Sequence, residues 1–368
     1  MSLVCESQRS SSSFVFEFEI PNPKSEIRNS LLMNEFDFID HLRAQTEARG
    51  YPPELLCGIG DDAAVIKQLT GHDAVVSADL LVEDIDFRRD ATQPRLLGHK
   101  ALAVSLSDIA AMGARPRWAL VSLGIPPDTW ASDFVAELYE GILSLAYGYE
   151  VRLIGGDLSR APKQIVIDSI VMGECARGNA VFRSGAKPGD HLFVTGSLGG
   201  SAAGLRLIER GARVGIHELE DPDVRSIQEL LMRHLRPAPR VGWGLVLGEQ
   251  RLASAMIDIS DGLSSDLHHL CRESKVGAIL ESGKLPIDSR VAALCGRRAL
   301  DPLILALHGG EDFELLFAVS PENVPRLPGK VDGVGLTEIG EIRPQSEGIR
   351  VSEGSRLWDL KPEGWKHF

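Results

Sequence analysis

Leu96-Leu-Gly-His-Lys-Ala-Leu-Ala-Val-Ser-Leu-Ser-Asp-Ile-Ala-Ala-Met112 is an apolar run of helical length, and Trp118-Ala-Leu-Val-Ser-Leu-Gly-Ile125 follows it closely. Gly113 and Pro116 stop the helix between them. The second run, rich in Val, Leu and Ile, reads as a strand. Upstream, Ala74 to Val82 predicts a strand that enters an acidic loop, and Phe36, Ile39 and Leu42 give Asn34 to Arg49 a helical spacing. Downstream, Asp128 to Tyr147 predicts a helix with Asp128 as a plausible cap. Val151 to Ile154 and Ile165 to Met172 are short β-rich runs. The polar turn Ser184-Gly-Ala-Lys-Pro-Gly-Asp190 marks a boundary. Beyond it the alternation resumes. Strands are expected at His191 to Thr195, Ala255 to Ile259 and Phe313 to Val319, and helices at Gly200 to Arg210, Asp223 to Leu235 and Leu263 to Glu273. Mixed elements in both halves predict an α+β or α/β protein of two domains. Their expected bounds are 34–183 and 184–368, after a Ser-rich extension (1–33) outside the core fold.

The chain's 368 residues suit two domains, and 43% hydrophobic with 25% charged residues suits a folded globular protein. There are 39 basic and 52 acidic residues, a net charge of −13. No basic stripe offsets this, so nucleic acid is not an expected partner. No stretch of about 18 apolar residues predicts a membrane span, and the N-terminal stretch does not resemble a secretory signal. The 5 cysteines are scattered and include no CxxC pair, which points to reduced thiols in a cytoplasm.

Several nucleotide and hydrolase signatures are missing from the sequence, including the P-loop, the kinase motif set, HExxH, GxSxG and a GxGxxG after a strand. The sequence offers carboxylates beside Gly turns, strand ends and helix starts instead. They lie in Gly58-Ile-Gly-Asp-Asp62, Ser77-Ala-Asp79, Ser107-Asp108, Gly155-Gly-Asp157, Asp258-Ile-Ser-Asp-Gly262 and Gly309-Gly-Glu-Asp-Phe-Glu314. Ser77 and Asp79 share one face of a strand, as do Asp258 and Ser260. Asp108 within an apolar helix is costly unless it is paired or binds a metal. Asp261 could cap the following helix, a role compatible with metal binding. Arg183 could hold a phosphate bidentately or make a surface ion pair. Lys100 is expected to face solvent, and His268-His269 lack the spacing of a helical zinc pair. Hard oxygen donors spread over both halves suit several Mg²⁺ ions shared with a polyphosphate. Such cations would also offset the repulsion between an acidic protein and its substrate.

Taken in order with Leu106-Ser-Asp-Ile-Ala-Ala-Met-Gly113 and Arg183-Ser-Gly-Ala-Lys-Pro-Gly-Asp190, these motifs resemble the thiamine-monophosphate kinase family. That family belongs to the aminoimidazole-ribonucleotide-synthetase-like ATP-binding superfamily. The resemblance runs from about Asn34 to Phe368. It implies an α+β N-terminal domain whose mixed sheet forms a joint β-barrel with its twin in a homodimer, and an α/β C-terminal domain. The implied reaction is ATP + thiamine monophosphate → ADP + thiamine diphosphate by direct in-line transfer. By position, Asp62, Ser77, Ala78 (through its carbonyl), Asp79, Asp108, Asp157, Asp258 and Asp261 look like Mg²⁺ ligands. Gly156, Asp157, Arg183 and Ser260 look like ATP contacts. Asp86, Glu311 and Trp365 look like substrate contacts, and Asp108, Asp261 and Arg183 would carry catalysis. Two positions depart from the family pattern: Ala78 stands where Thr is common, and Asp86 where a His is common. Rival readings are another synthetase of the superfamily and a catalytically silent nucleotide- or metal-binding homologue.

Overall fold

The computed structural model describes residues 35–48, 50–59, 64–215 and 223–365. The extension 1–33 and Asp62 therefore lie outside the described residues. The first half contains α1 (Glu35–Glu47), β1 (Leu55–Cys57), β2 (Val65–Ile66), β3 (His72–Val82), α2 (Pro94–Ala111), β4 (Arg115–Ile125), α3 (Pro127–Trp130), α4 (Phe134–Gly148), β5 (Arg152–Arg160) and β6 (Val166–Ala176). Strands β3-β6-β4-β5 form one sheet. Its pairs are antiparallel except β4 with β5.

Helix α2 lies against this sheet, and its burial explains its composition. From Lys100 to Ala111 every residue is buried except Asp108. A helix apolar all round belongs inside a protein. Close packing on α4 requires Gly98 and Gly141. A Cβ at Gly98 would lie 1.9 Å from the Leu138 carbonyl oxygen, and one at Gly141 would lie 2.0 Å from that of Arg95. The opposite face of the sheet is open along β3, where Val76 and Leu80 are exposed. Asp128 caps nothing through its side chain. It sits inside α3, and the expected long helix divides into α3 and α4.

The second half contains β7 (His191–Thr195), α5 (Gly200–Glu209), α6 (Val224–Leu235), α7 (Val241–Glu249), β8 (Ala253–Asp258), α8 (Leu263–Ser274), β9 (Val276–Glu281), α9 (Ser289–Arg298), α10 (Pro302–His308), β10 (Leu315–Val319), β11 (Lys330–Val331), β12 (Val334–Pro344), β13 (Ile349–Glu353) and β14 (Arg356–Asp359). The second sheet has the order β14-β13-β9-β12-β7-β10-β8, with β11 on β12. Its central strands are buried on both faces, so they read as unbroken apolar runs. Leu192, Val194, Ile257 and Leu316 pack with α8 on one face. Phe193, Met256 and Phe317 pack with Trp243 of α7 on the other, and Ala110 and Ala111 of α2 join that same cluster. Helix α2 thus belongs to the cores of both halves.

Candidate active site

The carboxylates gather around the C-terminal part of α2, each tied to a serine. Asp108 accepts a short hydrogen bond from Ser77 of β3. Ser105 donates to Asp79 Oδ2 at 2.7 Å, and Ser107 donates to Asp258 Oδ2 at 2.7 Å across the seam between the halves. Alternation along β3 turns Ser77 and Asp79 toward α2 and leaves Ala78 on the exposed face, where its side chain offers no donor.

The electrostatics follow from this crowding. Burial, with Asp108 adding, pushes Asp79 up to about 6. Burial, then Asp108, pushes Asp258 up to about 7. Asp108 is raised by burial as well, against the pull of Ser77 and Arg183. Asp266 of α8 rises to about 8 from burial and the nearby Asp258 and Asp261. Like charges held together at low solvent exposure are relieved by a cation. The donors are all oxygen, which fits Mg²⁺. Among the described residues, no three Asp, Glu, His or Cys side chains converge closely enough to hold a metal ion alone. Mg²⁺ usually takes one or two carboxylates and completes its shell with phosphate oxygens and water.

A cleft of about 430 Å³ opens beside this group, lined by Ser77, Asp108, Met112, Phe182, Arg183 and Met256. That volume lies within the range of small-ligand sites. Arg183 is exposed at the cleft. Its backbone is fixed because Ser274 donates to its carbonyl and Met256 donates to the carbonyl of Phe182.

A second patch forms where β8 ends. Ser260 and Asp261 are half-buried in the turn before α8. The capping expectation for Asp261 fails, because the Asp266 carboxylate accepts the backbone N–H groups of Asp261 and Gly262. Glu311 N donates to the Ser260 carbonyl, and Trp365 N donates to that of Asp261. The C-terminal segment crosses the start of α8, with Gly364 so close that a Cβ would meet the Asp261 oxygen at 2.1 Å. Trp365 stays 53% exposed. Ser260, Asp261, Glu311 and Trp365 are therefore assembled into one patch.

Three other expected residues lie elsewhere or point elsewhere. Gly156 and Asp157 sit on β5, in register with Val121 and Ser122. Three strand spacings separate β5 from β3, about 14 Å, so a single chain does not bring them to Asp79. Asp86 turns back on its own loop, where its carboxylate accepts the Val82 N–H at 2.8 Å. Lys100 corrects the solvent expectation: it is 2% exposed and ion-paired to Glu311. His268 is structural, with Nδ1 2.7 Å from the Ser264 carbonyl oxygen. Sequence reading also missed Asp266, His234 and the serines Ser105 and Ser107. Asp266 had a weak signal, since it closes the carboxylate-rich run that starts at Asp258.

Along most of its length the chain is similar to proteins of one family. Residues 60–175 match the AIR synthase related protein, N-terminal domain, and residues 187–352 match the corresponding C-terminal domain. The thiamine-monophosphate kinase of Bacillus subtilis (strain 168) is 36% identical over 343 residues, 91% of this chain and 100% of that protein. The crystal structure of thiamine-monophosphate kinase from Stenotrophomonas maltophilia K279a superposes with a TM-score of 0.75 at 36% identity, covering 90% of this chain and 98% of that one. A structure of AaThiL complexed with AMPPCP and TMP superposes with a TM-score of 0.71 at 33% identity, covering 91% and 97%.

Proposed function

The chain belongs to the AIR synthase related family, among the thiamine-monophosphate kinases, and we propose from this how its residues divide the work of phosphorylating thiamine monophosphate with ATP. The observation that carries the site reading is the serine-tied trio Asp79, Asp108 and Asp258 beside an open cleft. Mg²⁺ bound by Asp79, Asp108, Asp258 and Asp261, with Ser77, the Ala78 carbonyl, Asp62 and Asp157 as further donors, would supply charge neutralisation for the phosphates. Arg183 lines the same cleft as Asp108, and its guanidinium can grip phosphate oxygens bidentately. Ser260 offers a hydroxyl to the nucleotide at the same strand end. Glu311 offers negative charge to the cationic heterocycle of thiamine, and Trp365 offers a face for stacking. Asp86, expected as a substrate contact, is held by its own turn through the Val82 N–H.

Transfer is in-line from ATP to the substrate phosphate. The protein's contribution is positioning and electrostatic stabilisation of a transition state that needs little covalent help. The exposed face of β3 suits a homodimer in which two N-terminal sheets close a joint barrel, since Val76 and Leu80 leave apolar surface unburied. In such a dimer Gly156 and Asp157 act on the nucleotide of the other copy, which is consistent with their distance from Asp79. No helix among the described residues is long and apolar enough to cross a membrane, and we place the enzyme in the cytoplasm.

Product analysis tests the reaction. The protein is incubated with ATP, Mg²⁺ and thiamine monophosphate, and the thiamine phosphates are separated. Equal amounts of thiamine diphosphate and ADP are expected. ADP without thiamine diphosphate would indicate another acceptor, and no ADP would indicate a silent binder.

A further inference from the structure

Glu311 is held by two side chains from different parts of the molecule. Lys100 Nζ lies 2.8 Å from its carboxylate, and His234 Nδ1 lies 3.0 Å from Oε2. Lys100 comes from α2 and the first half, His234 from α6 and the second. Both donors are buried, at 2% and 6% exposure. A buried lysine is costly without a partner. This one is matched to a carboxylate that still has 29% of its side-chain surface open. The backbone is constrained as well. Glu311 has φ 62° and Phe313 has φ 50°, left-handed values that a non-glycine residue keeps only when its surroundings impose them. The surroundings do so. Glu311 N is bonded to the Ser260 carbonyl, the Asp312 carboxylate accepts from Gly199 N and Ser201 N, and Glu314 accepts from Thr195 and both arms of Arg240.

We propose that Lys100 and His234 are positioning residues for substrate binding: they clamp the Glu311 carboxylate in one orientation toward the thiamine site. The proposal rests on the reading of Glu311 as a substrate contact. Two charge-assisted donors remove the rotamer freedom of the glutamate, so its open lone pairs meet the substrate without a reordering cost. Lys100 and Asp108 stand eight residues apart on one helix, about 12 Å along its axis. The clamp therefore also sets the spacing between the acceptor's heterocycle and the carboxylates that surround the phosphates.

Steady-state kinetics of Lys100→Gln, Lys100→Arg, His234→Asn, Glu311→Gln and the double variant Lys100→Gln/Glu311→Gln test this. For Lys100→Gln the KM for thiamine monophosphate is expected to rise by roughly tenfold or more, the scale of one lost charged hydrogen bond, while the KM for ATP stays within about twofold. Lys100→Arg should recover most of the loss, and the double variant should be no worse than Glu311→Gln alone. Equal changes in both KM values, or additive losses in the double variant, would overturn the clamp. If Lys100→Gln does not fold, His234→Asn leaves the Lys100 pair intact and must show the same selective rise, or the proposal fails. Glu311→Gln separates the two readings. An unchanged KM for thiamine monophosphate there would remove Glu311 from the substrate site, whereas a raised value with a normal Lys100→Gln would reject the clamp alone.

Discussion

Asp108 is the accessible residue in an otherwise buried stretch of α2, and it faces Ser77, Arg183 and the cleft together. Asp108→Asn keeps the shape and removes the charge. We expect kcat to fall about 100- to 1000-fold, the usual effect of losing one electrostatic stabiliser, with an unchanged circular dichroism spectrum. An unchanged kcat would refute the assignment. Trp365→Ala is expected to raise the KM for thiamine monophosphate more than that for ATP, because its ring is half open beside Asp261, whose carbonyl accepts its backbone N–H; equal losses would argue against stacking. The carboxylates of this site were legible in the sequence because acidic residues need a reason where they stand: Asp258 and Asp261 at a strand end, Asp79 beside Ser77 on one strand face, and Asp108 within an apolar helix. Lys100 and His234 were not legible. Whether a lysine in an apolar helix is buried depends on a partner more than two hundred positions away, and Glu311 sits in a loop whose left-handed backbone no local pattern announces.

Element by element, α2 dictates most of the arrangement. Its contact with α7 is close enough that a Cβ at Gly244 would lie 2.2 Å from the Ala110 carbonyl oxygen. Gly244→Val should cost about 1–3 kcal/mol or more through overpacking, read as a lower Tm; an unchanged Tm would mean the helices separate freely. His99, also on α2, lies 2.7 Å from the Pro237 carbonyl oxygen through Nε2. Burial, opposed by that carbonyl and aided by Arg236, pushes it down to about 4 from an ordinary 6.5. As pH falls through that window the unfolded chain takes up a proton that the fold refuses, so stability is lost. His99→Gln keeps a donor and does not titrate. Its Tm relative to the native protein should therefore rise between about pH 7.5 and about pH 4.5; a constant difference would contradict the assignment. Helix α2 and strand β4 were readable from the sequence as long apolar runs with a clear stop, β3 as an alternating run, and β7 as a short apolar run after the polar turn. Helix α7 (VGWGLVLGE) and strands β12 to β14 were not. Packed against α2 on one side and the second sheet on the other, α7 has no polar face to reveal its period.

At the scale of the whole molecule, the distance between β5 and β3 would make the proposed dimer a matter of function. If Gly156 and Asp157 serve the neighbouring copy, two inactive variants should complement each other. Asp108→Asn and Asp157→Asn, unfolded and refolded together, should recover roughly a quarter of the native activity, since mixed dimers would carry one intact site. No recovery from mixed dimers would place both residues in the same site of one chain.

The sharing of α2 between two cores also bears on how such a protein can be divided. A seam near residue 184 looks like a natural cutting point, yet Ala110 and Ala111 complete the apolar cluster around Phe193, Met256 and Phe317. A fragment that starts at the seam would leave that cluster without its lid. Recombination between relatives, natural or engineered, should therefore succeed only where the incoming second half was shaped around the same helix. On this packing, the two halves should be exchanged only as a unit.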